Sequence, residues 1–134
     1  MISGVPQGSV IGPLLFLILI GDIDKGVVGS FLSSFADDTR IGMAISTPED
    51  AKLLQQDLEI VYQWAESNNM LFNDKKFELL RYGNNQNLKM ATSYLSNNGT
   101  QIQDKPFTKD LGVTMPSSAD FKLHIEFCHW KGKR

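Results

Sequence analysis

The chain has 134 residues, 42% of them hydrophobic and 21% charged, with a formal net charge of −2. That length and apolar content suit one small domain with a core and exclude a disordered polymer. The slightly acidic balance excludes a chain that is basic throughout, as stand-alone duplex binders usually are, although Lys75, Lys76, Arg81, Lys131, Lys133 and Arg134 leave room for local basic surface.

Residues 4 to 9 read as a loop, broken by Pro6 and two glycines. Pro13 suits the first turn of a helix, which the apolar run predicts to continue to about Asp24, with Gly26 and Gly29 ending it. The helix is apolar nearly all round, so burial is expected. Its run from Val10 to Ile20 is shorter than the roughly 20 residues that a bilayer requires, and no basic start marks a signal peptide. Residues 31 to 36 and 39 to 45 read as paired strands, with Ile41, Met43 and Ile45 on one face. Thr47-Pro48-Glu49-Asp50 is a helix start, with Thr47 as N-cap and acids in the first turn. Ala51, Leu54, Leu58, Val61 and Ala65 then recur at helical spacing and predict an amphipathic helix to about Asn68.

Short strands are expected at 70 to 72 and 77 to 82, around a turn at 73 to 75. A polar loop at 84 to 87 follows, then β-like stretches at 90 to 95 and 101 to 103 around Asn97-Asn98-Gly99, and another at 108 to 115. Residues 121 to 130 read as the beginning of a helix. Cys128 is the only cysteine, so no intrachain disulfide forms, and an intracellular setting fits. His124, Cys128 and His129 are too few for a closed zinc site and read as packing or surface residues.

The tetrad Phe35-Ala36-Asp37-Asp38 lies between the two predicted strands. Adjacent carboxylates at a hairpin tip suit a hard divalent cation, Mg²⁺ or Mn²⁺, which prefers oxygen ligands. Because side chains alternate along a strand, Asp37 is expected as the principal ligand and Asp38 as a supporting one. An acidic turn alone is usually just solvated. What makes this pair specific is a second signature upstream, Gly4-Val5-Pro6-Gln7-Gly8-Ser9. Asp22 and Asp24 are no substitute for a further ligand, since the helix before them separates its ends by roughly 20 Å at 1.5 Å per residue.

Together the two signatures resemble a reverse transcriptase, most closely of the non-LTR retrotransposon type. The likeness continues through Asn73-Asp74-Lys75-Lys76 and Leu111-Gly112-Val113. It implies an α+β fold: a polymerase palm, ferredoxin-like βαββαβ lacking its first strand, with the start of a thumb. Residues 1–103 would be the partial palm. Residues 104–134 would be the palm end, with a primer-grip-like hairpin at Leu111, Gly112 and Val113, the beginning of the thumb and an altered C-terminus.

The implied activity of the intact family is RNA-directed DNA polymerisation. Deoxynucleotides are added from their triphosphates to a DNA primer on an RNA template, by two-metal catalysis with Mg²⁺ (Mn²⁺ also serving). Asp37 and Asp38 would bind metal, Lys76 would act as general acid near the leaving pyrophosphate, and Pro6, Gln7, Gly8, Ser9, Phe35 and Ala36 would contact nucleotide and template. A surface lysine is an equal reading of Lys76, and Phe77 departs from the Thr or Ser usual in the family. The family's other carboxylate lies on a strand before the Gly-Val-Pro-Gln motif, whereas Met1 stands three residues before Gly4. These 134 residues alone are therefore expected to be inactive. The rival reading is a non-enzymatic, degenerate retroelement remnant. A different palm-like enzyme, a cyclase or nuclease, would have no use for a template-contacting loop. The setting implied is the cytoplasm or nucleus, with no membrane.

Overall fold

A computed structural model of the chain describes Gly8, residues 10–36 and residues 38–120. It is a mixed α+β arrangement in two compact units, Met1–Asn73 and Asp74–Arg134. The strands form three separate two-stranded sheets among the described residues. The finer palm topology is thus not laid out as one continuous sheet there.

In the first unit, helix α1 spans Gly12–Ile20 with Pro13 in its first turn. It is shorter than the sequence suggests, because residues 21–26 close into successive turns instead of extending it. The expected burial is corrected as well: Leu14, Leu17 and Ile18 are 58%, 58% and 69% exposed. An all-round apolar helix needs partners on every side, and the first unit offers one other helix and one hairpin among its described residues.

Strands β1 (Phe31–Phe35) and β2 (Asp38–Gly42) pair antiparallel. Strand β2 ends three residues before the predicted limit, although half-burial continues on alternate residues through Met43 and Ile45. Helix α2, Pro48–Ser67, forms where its signals place it. The Thr47 hydroxyl accepts from the Asp50 N–H, while the Asp50 carboxylate accepts from the N–H groups of Ser46 and Thr47, each at 2.8 Å. That reciprocal pattern is a capping box, and those two backbone donors hold the Asp50 carboxyl below its usual range. At the other end Asn69 turns left-handed at φ 54°, and Met70 N–H reaches back to Ala65 O at 2.8 Å. Asn69 N–H bonds Glu66 O, which completes a Schellman stop. The apolar stripe of α2 buries Ala51, Leu58, Val61, Tyr62 and Ala65, with Ile23 joining the buried core of this unit. Phe72 meets Tyr62 edge-to-face at 5.7 Å.

The end of the first unit and the second unit depart further from the sequence reading. Residues 70–72 form no strand; a 3₁₀ turn spans Asp74–Lys76, and strand β3 is confined to Leu79–Leu80. The predicted polar loop at 84–87 instead leads into a short helix α3, Gln86–Ala91, because Asn85 caps it through a bond from Leu88 N–H. Strand β3 pairs in parallel with β4, Asp104–Lys105. The expected β-like stretches at 90–95 and 101–103 reduce to a single bridge, Leu95 with Gln101, around the turn at Gly99.

Arg81 ties these pieces together. It donates to Asp104, to the Lys89 carbonyl, and to the hydroxyl and carbonyl of Thr92, and it lies over the Tyr94 ring at 5.4 Å. Burial raises the Tyr94 pKa, and the Arg81 charge only partly opposes this. The predicted strand at 108–115 is in fact a hairpin, β5 (Phe107–Asp110) with β6 (Val113–Pro116). The predicted helix from 121, with His124, Cys128 and His129, lies outside the described residues.

Candidate metal-binding hairpin

The β1–β2 register closes at the pair Phe35 with Asp38, after Ser34 with Thr39. Two residues therefore connect the strands, the shortest common hairpin link, which favours positive φ in its loop. Ala36 takes φ 52°. A small side chain suits that left-handed turn better than a branched one. The Ser34 and Thr39 hydroxyls lie 3.1 Å apart and form a bond across the strands just inside the tip.

Residues directly opposite in a sheet share a face. Phe31, Phe35, Asp38 and Arg40 accordingly lie on the exposed face, while Leu32, Ser34, Thr39 and Ile41 are half-buried on the other. The hairpin thus places the Asp38 carboxylate in solvent, opposite a Phe35 that is 63% exposed. Asp37, the expected principal ligand, lies outside the described residues. Oxygen donors of the Asp38 type fit a hard divalent cation. Among the described residues, no three His, Cys, Asp or Glu side chains gather into a metal cage.

The other predicted site residues are distributed between the units. Gly8 is exposed and adopts φ 81°, a left-handed turn that a residue with a Cβ strains to reach. Pro6, Gln7 and Ser9 lie outside the described residues. Lys76 ends the 3₁₀ turn in the second unit and is exposed. Leu111 and Gly112 form the two-residue link of the β5–β6 hairpin, closed by the pair Asp110 with Val113. Both have positive φ, 46° and 86°, the sense of turn that matches strand twist. The structure therefore brings Phe35, Ala36 and Asp38 together at one tip, and Leu111, Gly112 and Val113 at another.

Two polar anchors of the first unit escaped the sequence reading. Asp57, on α2, is fully buried. Its carboxylate accepts from the N–H groups of Val28 at 3.0 Å, Gly29 at 3.0 Å and Ser30 at 2.8 Å. Burial pushes its pKa up, but these donors and the adjacent Ser30 side chain outweigh that and hold it below the ordinary 3.8. The Ser30 Oγ is itself buried and lies outside strict hydrogen-bond geometry. The signal in the sequence was an acid inside the apolar stripe of α2, three residues after Leu54 and four before Val61. Asp22 is the second anchor. It accepts from the Trp64 indole N–H at 2.8 Å and pairs with Lys25 at 3.1 Å, and these two donors, Trp64 foremost, lower its pKa.

Motif order and hairpin geometry define a class, and comparison with known proteins places the chain within it. The chain belongs to the reverse transcriptase (RNA-dependent DNA polymerase) family, whose model matches residues 2–115. It is 31% identical over 137 aligned positions to the RNA-directed DNA polymerase from mobile element jockey of Drosophila melanogaster. It is 30% identical over 132 positions to the polymerase of the same name from Drosophila funebris. Each alignment covers 92% of this chain and 14% of the relative, so the chain spans about one-seventh of their length. No solved structure gives a significant match. No described helix is long and apolar enough to cross a membrane.

Proposed function

We propose that this chain is a palm segment of a retrotransposon RNA-directed DNA polymerase, whose β1–β2 hairpin presents Asp37 and Asp38 to catalytic Mg²⁺. The observation that carries the reading is the two-residue hairpin at Phe35–Asp38, which sets an exposed carboxylate at a tightly turned tip inside the family match. Two cations bound there would activate a primer 3′ oxygen and stabilise the leaving pyrophosphate. Gln7 and Gly8 would meet the template base and incoming deoxynucleotide, Lys76 would protonate the pyrophosphate, and Leu111-Gly112-Val113 would steady the primer. Residues 1–103 serve as palm and 104–134 as palm end and thumb beginning. The setting is inside the cell, on an RNA template with a DNA primer.

By themselves these 134 residues do not extend a primer, since a two-metal site draws on carboxylates from separate strands and, among the described residues, no three metal-ligating side chains gather. A chimera tests the reading. The segment of the jockey polymerase that aligns with this chain is replaced by residues 1–134, and extension on an RNA template is measured in Mg²⁺. The chimera is expected to extend the primer, and Asp37→Asn within it to abolish extension. Retained extension at near the parent rate would refute the metal assignment. A chimera that folds yet never extends favours a degenerate remnant.

A further inference from the structure

We infer that Asp57 is a positioning residue that aims the β1–β2 hairpin, and with it the candidate metal carboxylates, by clamping residues 28–30 to helix α2. The inference rests on the metal reading of the hairpin for its functional meaning, but not for its geometry.

Three consecutive backbone N–H groups converge on one buried carboxylate. A single hydrogen bond leaves a strand free to pivot, whereas three donors in sequence fix both its place and its direction. Leu53, one turn earlier on the same face of α2, adds a close contact: a Cβ on Gly29 would collide with its side chain. The Gly29 backbone therefore packs directly on the Leu53 side chain. The clamped residues run directly into β1, which carries the hairpin to its tip with no intervening loop.

The hairpin then acts as a lever. From Ser30 to Phe35 the strand extends about 17 Å, at about 3.3 Å per residue. A functional constellation tolerates about 0.5 Å of misplacement. Over that arm, 0.5 Å corresponds to a tilt of only about 2°. The pair Ser34–Thr39 and the backbone ladder hold the two strands to each other, but neither fixes the ladder to the rest of the unit. Asp57 does so, from a carboxylate that is itself buried.

The experiment uses the 134-residue chain and residual dipolar couplings, which give the angle between the hairpin and α2 directly, with Mn²⁺ affinity from water relaxation as a second readout. In Asp57→Asn, local couplings within α2 and within β1–β2 should remain those of the parent. The angle between them should change, or average, by several degrees, while Mn²⁺ affinity, set within the hairpin tip that carries Asp37 and Asp38, stays near that of the parent. Asp38→Asn should weaken Mn²⁺ binding with the angle unchanged, which separates ligand from positioner. An Asp57→Asn chain whose hairpin keeps the parent angle overturns the inference. If Asp57→Asn does not fold, amide exchange in the parent decides: slow exchange at the Val28, Gly29 and Ser30 N–H groups supports the clamp, and exchange as fast as in the turns at 21–26 overturns it. A parent chain that binds no Mn²⁺ sinks the metal reading alone, and the angle still decides the role of Asp57.

Discussion

Truncating Asp57 to alanine is the most demanding test of how the first unit is held together. The side chain lost is fully buried and serves three backbone donors. Each buried group left without a partner costs about 1–3 kcal/mol, and bonds to a charged acceptor lie at the upper end of the usual range. Val28 and Gly29 are exposed and Ser30 half-buried, so water recovers much of this, and a net loss of about 2–4 kcal/mol is expected, in the range of a broken hydrogen-bond network. Set against a whole-domain stability of about 5–15 kcal/mol, that is a large share. Urea unfolding followed by helical ellipticity measures it. Asp57→Asn keeps one oxygen and should lose about 1–3 kcal/mol.

The pH dependence provides the sign. The folded pKa of Asp57 is depressed below 3.8. Its stabilisation is therefore complete above the unfolded value and is lost as pH falls through the folded one. Parent stability should fall on acidification below about pH 4 by more than that of Asp57→Asn, which has nothing to protonate at this position. An alanine variant within about 1 kcal/mol of the parent, or identical acid profiles for parent and Asn variant, would refute the account of three charged bonds on one carboxylate.

Thr47→Ala removes one half of the capping box and should cost about 1 kcal/mol in urea unfolding, with helix content reduced at the start of α2. Leu111→Gly should stabilise the β5–β6 hairpin by about 0.5–1 kcal/mol, since leucine at φ 46° carries a left-handed penalty that glycine escapes; a loss of stability on thermal melting would contradict it. The exposed face of α1 predicts self-association of the isolated chain. Leu14→Lys with Ile18→Lys should raise the monomer fraction in light scattering without altering α2, and a parent chain that is already a monodisperse monomer with a cooperative melt would contradict this.

What was legible in the sequence is what neighbouring residues decide between themselves. Helix α2 was readable from Thr47 to about Asn68 because its cap, proline, acids and apolar stripe all agree over one continuous stretch. The hairpin was readable too, but its pattern puts the turn one residue late, at Asp37-Asp38, whereas the strands close at Phe35 with Asp38. The second unit was not, since its pieces are too short to carry a period. Strand β3 has two residues and is held by β4, more than twenty positions away, and helix α3 depends on one Asn85 cap that reads in sequence as another polar loop residue. By residue propensity alone the hairpin at 107–116 looked like one strand, because its turn opens with Leu111, which advertises no break; the resemblance at Leu111-Gly112-Val113 did imply a hairpin there.

The burial of α1 failed for a different reason. Periodicity reveals how much of a helix is apolar, not whether the same chain supplies a surface to cover it. A helix that is apolar all round states a need, and the need is met only by what surrounds it. The candidate site divides along the same line. The adjacent acids could be named from sequence, because they are neighbours in the chain; their metal role stays a proposal. Asp57 could not be given its partners, because it acts on residues 27 to 29 positions away. An acid in an apolar stripe announces that some buried donor exists, but only the fold identifies it as the backbone feeding β1. The residues that aim such a hairpin are therefore to be sought among the polar exceptions in neighbouring apolar faces, and in this chain the exception stands at position 57.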